Sequence, residues 1–232
     1  MHAPLPEPIP VEMLLLAYRS GIFPMADRRD DPELFWVEPR ERAIIPLEGL
    51  RVSKSLRKTL RQERFDVTIN KAFDEVISNC AAPRPDHPES WISMRIQASY
   101  RGLHDAGHAH SVECWQEGRL VGGLYGVGFD RVFCGESMFS LATDASKVAL
   151  CWLVAMMRKA GFELLDCQFM TDHLARLGAL ELPQSEYLKR LEAARGAPMM
   201  SLPESFEALT RASKSAHSSP GKFIAQSLTH TS

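Results

Sequence analysis

Two short segments of the sequence carry polar side chains in surroundings that are otherwise apolar. In "FCGESMF" the carboxylate of Glu136 lies between Cys134 and Met138, and in "LLDCQF" one residue separates Asp166 from Gln168. Residues two apart on a strand share a face, so Glu136 shares its face with Cys134 and Met138, and Asp166 with Gln168. Because an ionised carboxylate in an apolar setting is costly without a partner, these residues are the first candidates for a site.

An aspartate can accept a hydrogen bond from the amide NH2 of a glutamine on the same face, which leaves the amide oxygen facing outward. Asp166 and Gln168 would then hold a substrate amine. The alternatives are structural: the two residues form a satisfied polar pair at a strand end, and Glu136 pairs with a nearby cation. Cys134 and Cys167 have no histidine partner nearby in the sequence, and thiols in strands are usually small hydrophobes, so we do not expect them to be nucleophiles.

A second group of candidate residues is cationic. The segment "RVSKSLRKTLRQER", residues 51–64, has a net charge of +5, which leaves −7 for the rest of a chain whose formal net charge is −2. Its cations are Arg51, Lys54, Arg57, Lys58, Arg61 and Arg64. Ser53 is positioned to cap a helix whose apolar stripe is Leu56 and Leu60. This helix either contacts the phosphates of a nucleic acid or is a solvated cationic face.

Periodicity and turn residues predict the elements that must position these side chains. Residues 11–20 predict a short helix and "LFWVEPRERAIIPLEGL" a strand pair, together a small N-terminal α+β domain over residues 1–50. A second domain, residues 51–213, contains a helix that ends at Gly107, a meander through "HSVECW", "RLVGGLYGVG" and "RVFCGESMF", a long helix in "DASKVALCWLVAMMRKAG" and a strand in "FELLDCQFM". Residues 214–232 are poor in apolar side chains and predict a disordered tail.

Composition excludes several classes of protein. With 45% hydrophobic and 24% charged residues in 232, the chain is typical of a soluble globular protein. No apolar stretch reaches the roughly 18 residues of a membrane span, and "MHAPLPEPIPVE" lacks the features of a signal peptide, so we expect a cytoplasmic protein without a membrane partner. The five cysteines have no paired short spacing, which argues against a zinc ribbon or a disulfide framework.

The order of helix, three-stranded meander, long helix, strand and helix resembles the acetyltransferase-like (GNAT) fold. An acetyltransferase needs a glycine-bearing turn before the long helix to bind the pyrophosphate of coenzyme A. The corresponding turn here, "SLATDASK", has no glycine and carries an aspartate. We therefore do not expect coenzyme A to be the cofactor.

Seven blocks taken together, in order, resemble the leucyl/phenylalanyl-tRNA-protein transferase family. They are "AYRSGIFPM", "WVEPRERAIIPL", "WISMRIQASYRGLHDAGHAHSVECW", "LVGGLYGV", "FCGESMFS", "DASKVAL" and "LLDCQF" with "DHLARLGA". The resemblance implies an α+β fold, in which a small N-terminal domain precedes a GNAT-like domain with a mixed sheet flanked by helices. It also implies transfer of Leu or Phe from aminoacyl-tRNA to the α-amino group of proteins with N-terminal Arg or Lys, which marks those proteins for N-end-rule degradation.

The resemblance also assigns roles to residues. It implies that Asp166 and Gln168 lie at the reacting amine with Glu136 beside them. The pocket for the transferred side chain would be lined by Trp36, Trp91, Tyr100, Leu124 and Met138. The sequence departs from the residues expected in the family at Leu124, Thr171 and Met25, which affects the pocket more than the reaction.

The implied reaction needs little chemistry from the protein. An aminoacyl ester is already activated, and an α-amino group with a pKa of about 8 is partly neutral at cellular pH, so aminolysis requires no metal, ATP or covalent nucleophile. We expect no cofactor. The expected partners are aminoacyl-tRNA carrying Leu, Phe or Met, and acceptor proteins with N-terminal Arg or Lys, and not DNA.

Two other classes of function stay open. Another GNAT-like tRNA-dependent acyltransferase would share the fold but lack the combined "GESMF" and "DCQ" blocks. A non-catalytic RNA-binding module would explain the basic helix but leave Glu136, Asp166 and Gln168 without a role.

Overall fold

The computed structural model describes residues 7–83 and 89–228. Its N-terminal part contains α1 (Val11–Arg19) and an antiparallel pair of strands, β1 (Phe23–Met25) and β2 (Phe35–Val37). The turn between α1 and β1 requires a φ of +78° at Gly21, a conformation that glycine adopts without steric cost. Within the described residues, no helix combines the length and the apolar character that a membrane crossing requires.

A seven-stranded mixed sheet forms the frame of the molecule. Its strands are β3 (Glu41–Ile45), β4 (Asp66–Ile69), β5 (Ala109–Gln116), β6 (Arg119–Phe129), β7 (Val132–Ser140), β8 (Leu164–Gln168) and β9 (Leu180–Pro183). Their order across the sheet is β4-β5-β6-β7-β8-β3-β9. Only the β7–β8 pair is parallel, because the long helix between these strands returns the chain to the same end of the sheet.

Helices cover both faces of this sheet. One face packs against α2 (Lys54–Arg61), α5 (Ala145–Ala160), α8 (Leu202–Ser215) and α9 (Pro220–Ser227). The other packs against α1, α3 (Phe73–Ala81), α4 (Met94–Asp105) and α7 (Gln184–Ala193). Strand alternation divides the two cores, since Phe133 and Leu165 belong to the first core and Val132 and Leu164 to the second.

The predicted fold class is confirmed. The helix α4, the meander β5–β6–β7, the helix α5 and the strand β8 follow one another as the alternation and helical periodicity indicated. The short helix α6 (Asp172–Arg176) follows β8. A small N-terminal unit therefore precedes a mixed sheet flanked by helices.

Two expectations about boundaries are corrected. Strand β3, which was expected in the N-terminal strand pair, lies between β8 and β9 in the large sheet, and we propose that the boundary falls before Glu41 rather than at residue 50. The disordered tail predicted from residue 214 is wrong for the described part of that segment. There α9 buries Ile224 and Ala225 completely, because a few apolar residues on one face suffice for packing against the core. Residues 229–232 of the predicted tail lie outside the described residues.

Candidate active site

Strands β7 and β8 separate beside their polar residues. Their parallel pairing covers three residues of each strand and stops at Cys134 and Asp166. Beyond that point Glu136 on β7 and Gln168 on β8 line a cavity of about 600 Å³. Its apolar lining includes Trp91, Leu124, Met138, Leu150, Leu153, Leu165 and Leu174. One cavity therefore joins an apolar lining to a carboxylate and an amide.

Glu136 is held by hydroxyl groups from two helices. Its carboxylate accepts hydrogen bonds from Tyr18 Oη of α1 at 2.7 Å, from Tyr100 Oη of α4 at 3.1 Å and from Gln168 Nε2 at 2.9 Å. The two tyrosine hydroxyls also contact each other. The structural alternative for Glu136, a pairing with a nearby cation, is wrong within residues 7–83 and 89–228, where the partners of Glu136 are two hydroxyl groups and an amide.

Burial determines the protonation of Glu136. Only 8% of the residue is exposed, and this burial raises the pKa of Glu136 to about 7, although hydrogen bonds from Tyr18, Gln168 and Tyr100 lower it. The carboxyl group therefore changes charge near neutral pH, where a proton acceptor is most useful.

Asp166 forms a buried ion pair with Arg42 of β3. Arg42 Nη2 donates to Oδ2 at 2.6 Å, and Nε donates to both carboxylate oxygens at 3.0 and 3.1 Å. The same carboxylate accepts from Tyr187 Oη at 3.0 Å and from Cys134 Sγ at 3.3 Å. Because Asp166 has no exposed surface, its side chain has no route to a substrate in this arrangement.

Arg42 is itself enclosed by the N-terminal unit and by α7. It is 1% exposed, its guanidinium lies 4.8 Å from the ring centre of Phe23 and 4.5 Å from that of Tyr187, and Nη1 donates to the carbonyl oxygen of Gly21 at 2.8 Å. Burial alone would lower the pKa of Arg42, but the charge of Asp166 raises it above its ordinary value. The guanidinium is therefore permanently charged.

Asp166 acts on the backbone of Gln168 and not on its amide. The expected hydrogen bond from the Gln168 amide to Asp166 is wrong, because Nε2 donates to Glu136 and the backbone N–H of Gln168 donates to Asp166 Oδ1 at 2.8 Å. Gln168 has a φ of +63°, a left-handed conformation that costs energy for a residue other than glycine. The register with β3 shifts here, because Ala43 pairs with Gln168 and Ile44 with Asp166, which makes Cys167 the extra residue of a β-bulge in β8. The Arg42–Asp166 pair thus holds a strained residue whose amide reaches the carboxylate on the next strand.

Three of the five residues expected in the side-chain pocket line the cavity: Trp91, Leu124 and Met138. Leu124 and Met138 are directly paired across β6 and β7. The other two do not line it, since Trp36 lies on β2 and is 44% exposed, and Tyr100 is buried behind Glu136. Met25 and Thr171, where the sequence departs from the family, also line the cavity. That these residues contact the substrate stays a prediction.

Other titratable groups near the cavity favour their neutral forms. Burial raises the pKa of the Cys134 thiol and that of the Cys167 thiol, which leaves neither as a thiolate at neutral pH. His173 lines the cavity, and burial lowers the pKa of its ring. Glu136, with a pKa of about 7, is therefore a carboxylate in this cavity whose charge changes near neutral pH.

The basic helix forms as predicted. Ser53 Oγ accepts from the backbone N–H of Leu56 at 3.1 Å, and α2 buries Leu56 and Leu60. Among the six cations of residues 51–64, Arg57 is half-buried and the other five are exposed. A groove of about 250 Å³ on its surface is lined by Lys54, Arg57, Lys58 and Arg61 with Gln62. Contact of these cations with tRNA stays a prediction.

No sequence signal identified Tyr18 as a partner of Glu136, because Tyr18 is separated from it by 118 residues. A weak signal for Arg42 existed in "ERAII": Arg42 and Ile44 share a strand face, and an arginine on an apolar face requires an acid.

An acetyltransferase-like order of elements, with an apolar cavity beside a carboxylate and an amide, is an arrangement suited to acyl transfer. Comparison with known families gives the particular class. The model described as "Leucyl/phenylalanyl-tRNA protein transferase" matches residues 44–192, and the model of its N-terminal domain matches residues 8–40. The chain belongs to the leucyl/phenylalanyl-tRNA protein transferase family and is an aminoacyltransferase.

Similar curated proteins bear the same name, leucyl/phenylalanyl-tRNA–protein transferase. One from Novosphingobium aromaticivorans is 60% identical over an alignment of 259 residues that covers 98% of each chain. Another, from Rhodopseudomonas palustris strain HaA2, is 56% identical over 183 residues, which is 79% of this chain and 82% of that protein.

Likeness to solved structures is weaker. L-PGS from Bacillus licheniformis aligns with a TM-score of 0.38 and 12% identity over 87% of this chain and 70% of that one. A score at this level adds nothing to the functional assignment.

Proposed function

We propose that the protein transfers Leu or Phe from aminoacyl-tRNA to the α-amino group of proteins that begin with Arg or Lys. The new N-terminal residue would mark these proteins for N-end-rule degradation. Membership of the family supports this proposal, and the observation that carries it is the cavity in which an apolar lining meets Glu136 and Gln168.

The apolar part of the cavity would hold the transferred side chain. A volume of about 600 Å³ accommodates Leu or Phe together with the ester group that carries it. Burying such a side chain contributes about 1.5 to 3 kcal/mol, which favours apolar over polar amino acids. Trp91, Leu124 and Met138 would select by shape.

The polar part would bind the acceptor amine. Gln168 uses its amide NH2 for Glu136, so its amide oxygen remains available to accept a hydrogen bond from the amine. Glu136, with a pKa raised to about 7, would take the proton that the ammonium group must lose before it attacks. The neutral nitrogen then forms a bond to the ester carbonyl carbon, and the bond from that carbon to the ribose oxygen breaks. The proton that the nitrogen loses as it becomes an amide passes to the ribose oxygen.

The role proposed for Asp166 changes accordingly. Its charge is neutralised by Arg42, so we assign it to the positioning of Gln168 rather than to the amine. Among the residues that line the cavity in the described ranges, Glu136 is the sole carboxylate. Attraction of the cationic N-terminal residue of the acceptor therefore rests on Glu136.

The exposed cations of α2 would bind the tRNA through its phosphates. Such contacts are independent of nucleotide sequence. They weaken as the salt concentration rises, because the release of counterions from the phosphates on binding then becomes less favourable. The segment carries a local charge of +5, which suits a polyanion.

Incubation of the protein with Leu-tRNA labelled in its amino acid tests the function. A protein that begins with Arg should acquire one Leu at its α-amino group, whereas the same protein beginning with Ala, or Ile-tRNA as donor, should give little product. Transfer to a small-molecule amine but not to the Arg-starting protein would favour a different tRNA-dependent acyltransferase. Binding of the tRNA without any transfer would favour a non-catalytic RNA-binding module.

A further inference from the structure

Helices α8 and α9 lie beyond residues 8–40 and 44–192, the part matched by the family models. Helix α9 packs against the basic helix α2, and α8 packs against α5 and α9. The backbone N–H of Gly221 in α9 donates to Glu63 Oε1 at 3.0 Å. A Cβ atom at Gly221 would overlap the carbonyl oxygen of Leu60, so glycine is required for this close approach. The start of α9 is therefore docked on the end of α2.

Charge is unevenly distributed along these C-terminal helices. The acidic residues Glu204 and Glu207 lie in the first two turns of α8, and residues 208–228 contain no Asp or Glu. Arg211 pairs with Glu207 at 3.3 Å. Lys214 and Lys222 are exposed and form no ion pair with any residue in the described ranges. Two unneutralised cations therefore lie towards the α8–α9 junction.

These two lysines lie on helices that are close to α2. Phe206 and Thr210 of α8 line a cavity of about 410 Å³ whose opposite wall includes Arg64. Lys214 follows Thr210 by four residues and so continues the same helix face. Lys222 follows Gly221, the residue in contact with α2. Lys214 thus continues a helix face that lines a cavity with Arg64, Glu63 and Asp66, and Lys222 adjoins the residue docked on α2.

We propose that the α8–α9 pair is the second part of the tRNA-binding surface, in which Lys214 and Lys222 contact phosphates beside those bound by α2. This inference rests on the proposed function. A phosphate chain is the appropriate partner because the exposed cations of these neighbouring helices outnumber Glu63 and Asp66, the acidic residues that line the cavity beside them, and such a surface attracts a polyanion.

The test compares three variants by the dependence of Leu-tRNA binding on KCl concentration. The first changes Lys214→Gln and Lys222→Gln together. The second changes Lys54, Arg57, Lys58 and Arg61 of α2 to Gln. The third is a matched control, Lys189→Gln with Arg190→Gln, which removes two exposed cations of α7 on the opposite face of the sheet. Each lost phosphate contact should reduce the slope of log affinity against log salt by about 1.

We expect the Lys214/Lys222 variant to lose about one to two units of slope and the α7 control to keep the wild-type slope. A wild-type slope in the Lys214/Lys222 variant, alongside a reduced slope in the α2 variant, would overturn the inference and leave the proposed function intact. If the α7 control lost as much of the slope as the Lys214/Lys222 variant, the loss would be an effect of net charge alone and the inference would be overturned. A wild-type slope in the α2 variant would instead remove the tRNA assignment of the whole surface.

Discussion

The folded protein keeps a proton on Glu136 over a pH range in which the unfolded chain has lost it. Burial raises the pKa of Glu136 from 4.5 to about 7, so between these values the native state binds more protons than the unfolded state. The free energy of unfolding therefore falls as the pH rises through this window. At about 1.4 kcal/mol per unit the decline approaches about 3 kcal/mol.

The Glu136→Gln variant should lack this decline, because an amide does not titrate. Urea unfolding at pH 5 and pH 7.5 should show that the variant loses about 2 to 3 kcal/mol less stability than the wild type between the two conditions. The difference between the two pH values is the informative quantity, since the substitution also changes the hydrogen bonds of Tyr18 and Tyr100 at both. Parallel pH dependences would contradict the raised pKa.

A second residue-scale prediction separates positioning from charge at Asp166. Asp166→Asn alone leaves Arg42 buried without a counter-ion and should cost about 3 to 5 kcal/mol of stability. Arg42→Met combined with Asp166→Asn removes both charges and should recover most of that loss. The asparagine oxygen can still accept from the backbone of Gln168, so we expect the double variant to retain transfer within about tenfold.

Measurements of stability and of steady-state transfer distinguish the two roles. A double variant that is stable, has an unchanged KM for both substrates and has lost far more than tenfold in kcat would mean that the charge of Asp166 acts on the reaction.

Alternation along β7 and β8 predicted the wrong faces for the residues at the site. The register with β6 shifts so that Glu136 is an extra residue in β7, and Cys134 and Met138 therefore pack against different cores. Alternation also could not predict the partners of the site residues, because Arg42 reaches Asp166 from 124 residues away and Tyr18 reaches Glu136 from another unit of the chain. The amide of Gln168 was assigned to the wrong carboxylate for a related reason. A left-handed backbone at the end of a strand turns the side chain away from the direction that strand periodicity implies.

At the scale of elements, helix α1 completes the site by bringing Tyr18 to Glu136. The hydrogen bond from Tyr18 lowers the pKa of Glu136, so Tyr18→Phe should raise that pKa further above 7. If Glu136 accepts the proton in its ionised form, the acidic limb of the pH profile of kcat should move to higher pH. Transfer by the variant should be reduced at pH 7 and recover in more alkaline buffer.

Tyr125→Phe is the matched control for this shift. Tyr125 Oη is buried near the same carboxylate but has no hydrogen-bond partner among the described residues, so its loss leaves the bonds to Glu136 intact. The acidic limb of the pH profile of kcat should stay at the wild-type pH in the Tyr125→Phe variant. If this limb also stayed at the wild-type pH in the Tyr18→Phe variant, the result would argue against Glu136 as the proton acceptor.

The β6–β7 pair provides a wall of the cavity through Leu124 and Met138. Exclusion of the β-branched isomer Ile has to be steric, because Leu and Ile have the same number of carbon atoms and differ little in transfer free energy. Met138→Ala should therefore increase the ratio of Ile to Leu transfer. Met94→Ala, which truncates a methionine that is 53% exposed, is the control. Equal rejection of Ile-tRNA by the wild type and the Met138→Ala variant would show that the wall lies elsewhere.

Long elements with clear periodicity were predictable, and short or tertiary-dependent ones were not. The strands of the meander β5–β7 have 8, 11 and 9 residues, and helix α5 has 16. Elements of this length show strand alternation or helical periodicity directly in the sequence. Strand β9, "LELP", has four residues, none of them buried, and its Leu-Glu-Leu alternation is too short to identify a strand. Helix α9 exists because Ile224 and Ala225 pack on the core, which composition alone does not reveal.

At the scale of the molecule, three regions of the chain meet at the site. The N-terminal unit supplies Tyr18 and the carbonyl group of Gly21, the sheet supplies Glu136, Asp166 and Gln168, and α4 supplies Tyr100. The cavity is thus assembled by packing between units that are distant in sequence. Its position beside β7 and β8 follows from the sheet topology, whereas its charge state follows from contacts between the units.

The formal net charge of −2 is the sum of two opposite contributions, +5 from residues 51–64 and −7 from the rest of the chain. Replacing Lys54, Arg57, Lys58 and Arg61 by Gln should raise the KM for aminoacyl-tRNA at low salt and reduce the salt dependence of that KM, because fewer counterions are released on binding. The KM for an Arg-starting peptide should be unchanged, since the cavity proposed to bind the acceptor contains none of these residues. At about 1 M salt the Debye length falls to about 3 Å, so the KM values of wild type and variant should converge. KM values that differ by a constant factor at every salt concentration would indicate that the substitutions act through the fold of α2 and not through its charge.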